Sequence, residues 1–292
     1  MIIYKREQTA RARKQPFRRS AMNRTYVVTG AASGIGAATA RTLRERGGRV
    51  IACDLHDADV AGDLTTAEGR ADLVEGVKRL SGGAIDAIIA NAGGGPPETS
   101  LALNFFGAVA TLDGLRQFLE SSAAPRAVAV SSIASLRPPH APLVETCLNM
   151  DERAAVALAA RMLAEGGPLR TGANPLPDKL QAPLDLYANA KYALQRWCRR
   201  AAAESQWAGA GIPLNVVALG FFDTPAAAYV LSDAKARAAM GRMTPMRGAF
   251  PGRPEEAAAL LAWCVSPENS QMTGQILFAD GGFECQARGE HS

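Results

Sequence analysis

Short runs of consecutive apolar residues alternate along the chain with longer stretches whose apolar positions recur about every three to four residues. The first pattern fits a strand buried on both faces, the second a helix with one face on a core. On that basis residues 26–29, 49–54, 87–90, 127–131, 214–219 and 275–279 are predicted strands. Predicted helices span residues 34–46, 67–80, 101–121, 186–208 and 254–265; Gly47-Gly48 closes the first, and Gly107 lies inside the third. Strand and helix in alternation predict an α/β domain on a doubly wound parallel sheet. Right-handed crossovers then bring the carboxyl ends of the strands, and any ligand, to one edge.

Two stretches interrupt the rhythm. Residues 137–185 hold a Pro-rich entry, a helical piece near residues 143–165 and a Gly/Pro-rich exit, the makeup of an inserted lid, substrate wall or contact surface. Residues 221–252 are rich in Ala and Met, with aromatics, and form a candidate substrate-binding loop region. No internal repeat is visible.

Charge changes the picture at one end only. Residues 1–22 contain Lys5, Arg6, Arg11, Arg13, Lys14, Arg18 and Arg19 against a single acid, Glu7. The whole chain is only +4, so residues 23–292, the expected domain, are slightly acidic, which argues against nucleic-acid binding. The basic segment reads as a disordered extension, with a transit peptide or a charged interaction arm as alternatives. No apolar run approaches the roughly 20 residues that span a bilayer. The cysteines (Cys53, Cys147, Cys198, Cys264 and Cys285) are odd in number and widely spaced, which argues for a reducing, cytoplasmic compartment and against a disulfide framework. His56, His140 and His291 show no metal-ligand spacing.

Chemistry concentrates in two places. Between the first strand and helix, Gly30, Gly34 and Gly36 let the backbone approach a pyrophosphate while the helix N-terminus supplies N–H groups and a positive dipole. Asp54, ending the second strand, can accept hydrogen bonds from a ribose 2′-hydroxyl and would repel a 2′-phosphate. No Arg or Lys occupies positions 31–33 or 55, so the expected cofactor is NAD rather than NADP. Downstream, Tyr187 and Lys191 share a helix face. An ammonium near a phenol favours the phenolate, which suits the tyrosine to pass a proton to or from a substrate oxygen. Of the five tyrosines only Tyr187 has lysine four residues on; Tyr192 has Arg196 there. Such a pair alone is ordinarily a surface pair, and its place after the glycine turn is what points to catalysis. Ser132, at a strand's carboxyl end, is placed to hydrogen-bond the same oxygen.

These residues resemble the short-chain dehydrogenase/reductase family over residues 26–283. The resemblance rests on Thr29 to Gly36, Asp63-Leu64, Asn91-Ala92-Gly93, Asn104, Ser131-Ser132, Tyr187 with Lys191, and Asp280-Gly281-Gly282. Within the family the chain is most similar to bacterial 3α-hydroxysteroid dehydrogenase/carbonyl reductases and coniferyl-alcohol dehydrogenases. The resemblance implies a Rossmann-type single domain and a homodimer or homotetramer. It implies that Asn104, Ser132, Tyr187 and Lys191 are catalytic, with Asn104 holding a water and Lys191 also on the nicotinamide ribose. It adds Ser33, Ile35, Asp63, Leu64, Asn91, Ala92, Gly93, Tyr187, Gly220 and Thr224 to the cofactor contacts. Two departures stand out: Leu219-Gly220 replaces the family's usual Pro-Gly, and Ser132 lies unusually far from Tyr187. The expected activity is NAD(H)-dependent interconversion of a secondary alcohol and a ketone, with a bulky, steroid-like substrate. Alternatives are an aryl or smaller alcohol, or a non-catalytic dinucleotide sensor, against which the complete set of four catalytic residues argues.

Overall fold

In the computed structural model, seven parallel strands form one sheet, β1 (Thr25–Thr29), β2 (Arg49–Asp54), β3 (Val60–Ala61), β4 (Ala87–Ala90), β5 (Arg126–Ser132), β6 (Leu214–Leu219) and β7 (Ile276–Ala279). The structure describes residues 23–165 and 181–290, without the side chain of Tyr229. The basic segment 1–22 and much of the Gly/Pro-rich exit of the insertion lie outside the described residues. The strand order is β3-β2-β1-β4-β5-β6-β7, so the chain reverses direction across the sheet between β1 and β4. Ligands of such sheets bind above the carboxyl ends of the strands at this switch point.

Side chains alternate between two cores, as the pleat requires. Val27, Ile88, Ala129 and Val216 face one core, which α2 (Ala67–Ser81), α3 (Ala108–Arg116) and α6 (Gln181–Ala201) cover. Val28, Ile89, Val128 and Val217 face the other, closed by α1 (Gly34–Glu45) and α9 (Pro254–Cys264). The central strand β4 is shielded on both faces, Ile88 and Ile89 being wholly buried. Burial of each such side chain contributes about 1.5–3 kcal/mol.

The structure departs from the sequence pattern in four places. The predicted helix at 101–121 opens as a π-helical turn, Ala102–Gly107, before α3, and closes in a 3₁₀ turn, Gln117–Leu119. Asn104 helps to explain the wide turn: its amide donates to the Ser100 carbonyl at 2.9 Å, an acceptor that an α-helical ladder would use. The helical piece at 143–165 is two helices, α4 (Ala141–Leu148) and α5 (Glu152–Ala164). The break falls at Met150, whose φ is +57°, and Asp151 then caps α5 by accepting from the Ala154 N–H at 3.0 Å. The helix predicted at 186–208 is α6, shifted toward the N-terminus: Pro183 fits its first turn, where no N–H is needed. Beyond Ala201 turns fold Trp207 into the core. Finally, residues 221–252 contain α7 (Ala228–Leu231) and α8 (Ala234–Arg242), and a short α10 (Phe283–Arg288) follows β7. Neither α10 nor the two-residue β3 carries enough periodicity to be seen in sequence.

Candidate active site

The turn from β1 into α1 is folded against the end of β4. Gly30 (φ +68°) and Gly34 (φ +51°) adopt left-handed backbone that favours glycine. A Cβ on Gly30 would lie 2.9 Å from both the Ala92 Cα and the Asn91 side chain. One on Gly36 would fall on the Gly30 carbonyl. Asn91 locks this contact by donating to the Thr29 carbonyl at 2.9 Å, while the Asn91 and Ala92 N–H groups both donate to the Thr29 hydroxyl at 3.1 Å. Ser33 precedes α1 without a side-chain cap, Ile35 is in its first turn, and no acid lies there. The Asp54 carboxylate reaches the same turn and accepts the Ala32 N–H at 2.8 Å. A carboxylate has further lone pairs to offer a diol. These are the features a pyrophosphate and ribose need, so the residues fit a dinucleotide. Gly36→Ala is expected to weaken NADH binding at least about tenfold, because the methyl must displace the turn; fluorescence titration would show it.

The second cluster sits where β5 meets α6. Lys191 is only 2% exposed, and its ammonium donates to the Val130 carbonyl at 2.9 Å. Burial pulls its pKa down to about 8. Its Nζ stands 5.7 Å from the centroid of the half-buried Tyr187 ring. A Cβ on Gly93 would be 3.1 Å from Lys191 Nζ and 2.8 Å from the Asn104 amide oxygen, so both groups converge on this glycine. The wholly buried Asn104 is fixed by bonds to the Gly94 N–H and carbonyl, each at 3.0 Å. The two serines divide. Ser131 is buried and its hydroxyl donates to the Lys191 carbonyl at 3.2 Å, whereas Ser132 is half-buried and accepts the Ala134 N–H at 3.1 Å. Ser132 is thus the serine on the open side.

Residues 24–142 match the family model described as short chain dehydrogenase, and residues 154–284 match one described as enoyl-(acyl carrier protein) reductase. A 3-alpha-hydroxysteroid dehydrogenase/carbonyl reductase of Comamonas testosteroni is 31% identical over 268 residues, covering 90% of this chain and 97% of that protein. The chain belongs to the short-chain dehydrogenase/reductase family. A cis-4-hydroxycyclohexanecarboxylate dehydrogenase of Sinomonas cyclohexanicum is likewise 31% identical, over 89% of this chain and 96% of the relative. The solved 3-alpha-hydroxysteroid dehydrogenase of Pseudomonas sp. B-0831, complexed with NADH, superposes with a TM-score of 0.77 at 34% identity, covering 91% of this chain and 99% of that one. The protein is therefore a nicotinamide-dinucleotide oxidoreductase acting on hydroxyl and carbonyl groups.

Other expected contact residues of this family member fall around the same edge. Leu219 continues β6 without a proline, and Gly220 packs its backbone on Asp280, where a Cβ would come within 2.8 Å of the Asp280 Cα. Thr224 stands over the glycine turn, 3.3 Å from where a Gly34 Cβ would be. Leu64 is buried beneath the π-helical turn, whereas the exposed Asp63 carboxylate accepts from the Thr65 N–H and hydroxyl at 2.9 and 2.7 Å, holding its own loop.

Several supporting residues escaped sequence reasoning. The Gln195 amide donates to the Ser131 and Ser135 hydroxyls at 2.9 and 2.7 Å, and Ser135 donates to the Ser132 carbonyl at 2.6 Å. This closed polar network ties the end of β5 to α6, one turn beyond Lys191. On the other side of Tyr187, Arg137 pairs with the buried Asp185 at 2.6 Å, and Asn189 accepts the His140 N–H at 2.7 Å. The entry of the insertion is thereby fastened to α6 two residues before and two after Tyr187. The spacing of Asp185 and Asn189 around the tyrosine was a usable signal; nothing local marked their partners.

Proposed function

We propose that this protein is an NAD(H)-dependent dehydrogenase/reductase that interconverts a secondary alcohol and a ketone on a bulky, hydrophobic, steroid-like skeleton. The observation that carries the catalytic part is the buried Lys191 ammonium beside the Tyr187 ring at the edge where the glycine turn ends. When bound, the nicotinamide supplies or receives the hydride. Tyr187 gives its phenolic proton to the substrate oxygen in reduction and takes it back in oxidation. Lys191 stabilises the phenolate by its charge, Ser132 donates a hydrogen bond to the same oxygen, and Asn104 holds the backbone beside Lys191 in place for a proton relay. Gly30, Ser33, Gly34, Ile35 and Gly36 cradle the pyrophosphate; Asp54, Asp63 and Leu64 flank the adenosine; Asn91, Ala92, Gly93, Gly220 and Thr224 line the rest.

Preference for NAD over NADP follows from Asp54: its carboxylate stands at the Ala32 N–H, and positions 31–33 and 55 lack a cation to receive a 2′-phosphate. An apolar substrate wall is supported by the edge-to-face pair Phe221–Phe250, 6.0 Å between centroids, and by Met246, which is 61% exposed. The Sinomonas relative, by its name a dehydrogenase of a single hydroxylated ring, favours a smaller alicyclic alcohol as the second reading. We infer a homodimer or homotetramer, with α4 and α5 against α6 shaping which surface associates, and a cytoplasmic setting. In the described residues all five cysteines are free, four of them buried, and burial pushes the Cys53, Cys147 and Cys264 thiols up to about 12. No helix of the described residues is long and apolar enough to cross a membrane.

One screen tests the proposal: 3-ketosteroids and substituted cyclohexanones, each with NADH and with NADPH. We expect kcat/KM to favour NADH at least about tenfold, and Asp54→Ala to narrow that ratio by a similar factor. Equal use of NADPH by the wild type would refute the cofactor assignment. Faster turnover of single-ring ketones than of steroids would shift the substrate to the second reading.

A further inference from the structure

Arg70 has no role in the chemistry above, yet its guanidinium joins three segments of the site. It projects from α2 and is 11% exposed. Its Nε donates to the Leu64 carbonyl at 2.8 Å, and one terminal nitrogen donates to the Ala102 carbonyl at 2.9 Å. Its fork also grips Glu152, Nη1 to Oε2 at 2.6 Å and Nη2 to Oε1 at 2.7 Å. The Leu64 peptide is held from a second side as well, since a Cβ on Gly107 would come within 2.9 Å of its carbonyl oxygen. One cation thus connects the loop at Leu64, the π-helical turn that carries Asn104, and Glu152, the first residue of α5 in the insertion.

A guanidinium is a rigid planar donor, so a bidentate carboxylate fixes its plane and the direction of its remaining N–H groups. Without Glu152 the buried cation would keep the Leu64, Thr65 and Ala102 carbonyls and the face of the Phe106 ring, 6.0 Å from its Cζ, but no countercharge, and the guanidinium that holds the Leu64 loop would lose its link to α5. We propose that the Arg70–Glu152 ion pair couples dinucleotide binding to the docking of the insertion, Arg70 acting as a positioning residue for the Leu64 loop. This rests on the nucleotide cradle proposed above. Coupling of this kind is reciprocal: what tightens the loop on the dinucleotide also tightens α5 on the body.

The test is a fluorescence titration of NADH against wild type, Arg70→Lys, Glu152→Gln and the double variant, with Tm measured on each. We expect each single change to raise the Kd for NADH about three- to tenfold. The double variant should be no worse than the weaker-binding single variant, because both break one link. NADH should also slow amide exchange within α5 of the wild type but not of Glu152→Gln. A merely structural pair would lower Tm and leave the Kd alone, so single variants within about twofold of wild type in Kd overturn the coupling, as do multiplicative effects in the double variant. Glu152→Gln is isosteric at a partly exposed position and carries the test by itself if Arg70→Lys fails to fold. A wild type that binds no NADH overturns the nucleotide reading, and the coupling with it.

Discussion

Tyr187→Phe lowers kcat by roughly 10²–10⁴-fold while the Kd for NADH stays within about twofold of wild type. The reason is chemical. A proton must be delivered to, or removed from, the substrate oxygen as the hydride moves, and a positioned acid–base group contributes rate enhancement of that order. Phenylalanine keeps the ring, and hence its packing on α6 beside Lys191, but removes the only atom that can carry the proton. The half-buried ring is not part of the glycine cradle, so NADH binding is spared. Stopped-flow reduction and fluorescence titration on the same preparation separate the two quantities. Retention of more than about a tenth of wild-type kcat would remove Tyr187 from its role.

Lys191→Met is expected to abolish turnover and to raise thermal stability. The Lys191 ammonium is buried and donates to the Val130 carbonyl, and among the described residues it forms no ion pair with a carboxylate. Its pKa falls from 10.5 to about 8 through desolvation. Between those values the unfolded chain binds the proton that the folded chain has released, so stability rises with pH across that window. Below about pH 8 both states are charged and the full cost of burial, on the order of 3 kcal/mol, opposes folding. Methionine fills a similar volume without that cost, although the Val130 carbonyl loses its donor. A gain of about 3–8 °C in Tm at pH 7 is expected, shrinking as the pH approaches 10.5. A lower Tm at pH 7 would show that the ammonium is stabilising after all. On the proposed mechanism the charge is kept because it favours the phenolate of Tyr187, a trade of stability for function.

The limits of sequence reading are visible in single residues. β2, β4 and β6 were legible to the residue: β4 is a continuous apolar run buried on both faces, and β2 and β6 carry the apolar runs 50–53 and 216–219. The glycine turn was legible because positive φ and close approach leave glycine few substitutes. The pair Tyr187–Lys191 was legible because a helix dictates which residues share a face. By contrast, α6 began five residues before its predicted start, since propensity alone does not show that Pro183 will be accommodated in a first turn. The π-helical turn at Asn104 depends on an amide taking the Ser100 carbonyl, a choice made only when Gly94 is there to satisfy the rest of that side chain.

The sequence by itself therefore determined six of the seven strands, the fold class and the family, and it singled out the glycine turn, Asp54 and the pair Tyr187–Lys191 as the candidate chemistry, because each rests on local periodicity or on a side chain's own chemistry. The tertiary structure alone decided which serine faces the open side, how far the lysine is desolvated, and that Arg70 meets Glu152 across 82 positions of chain. Those outcomes depend on contacts between segments distant in sequence, and burial, charge pairing and pKa are properties of such contacts rather than of any segment alone.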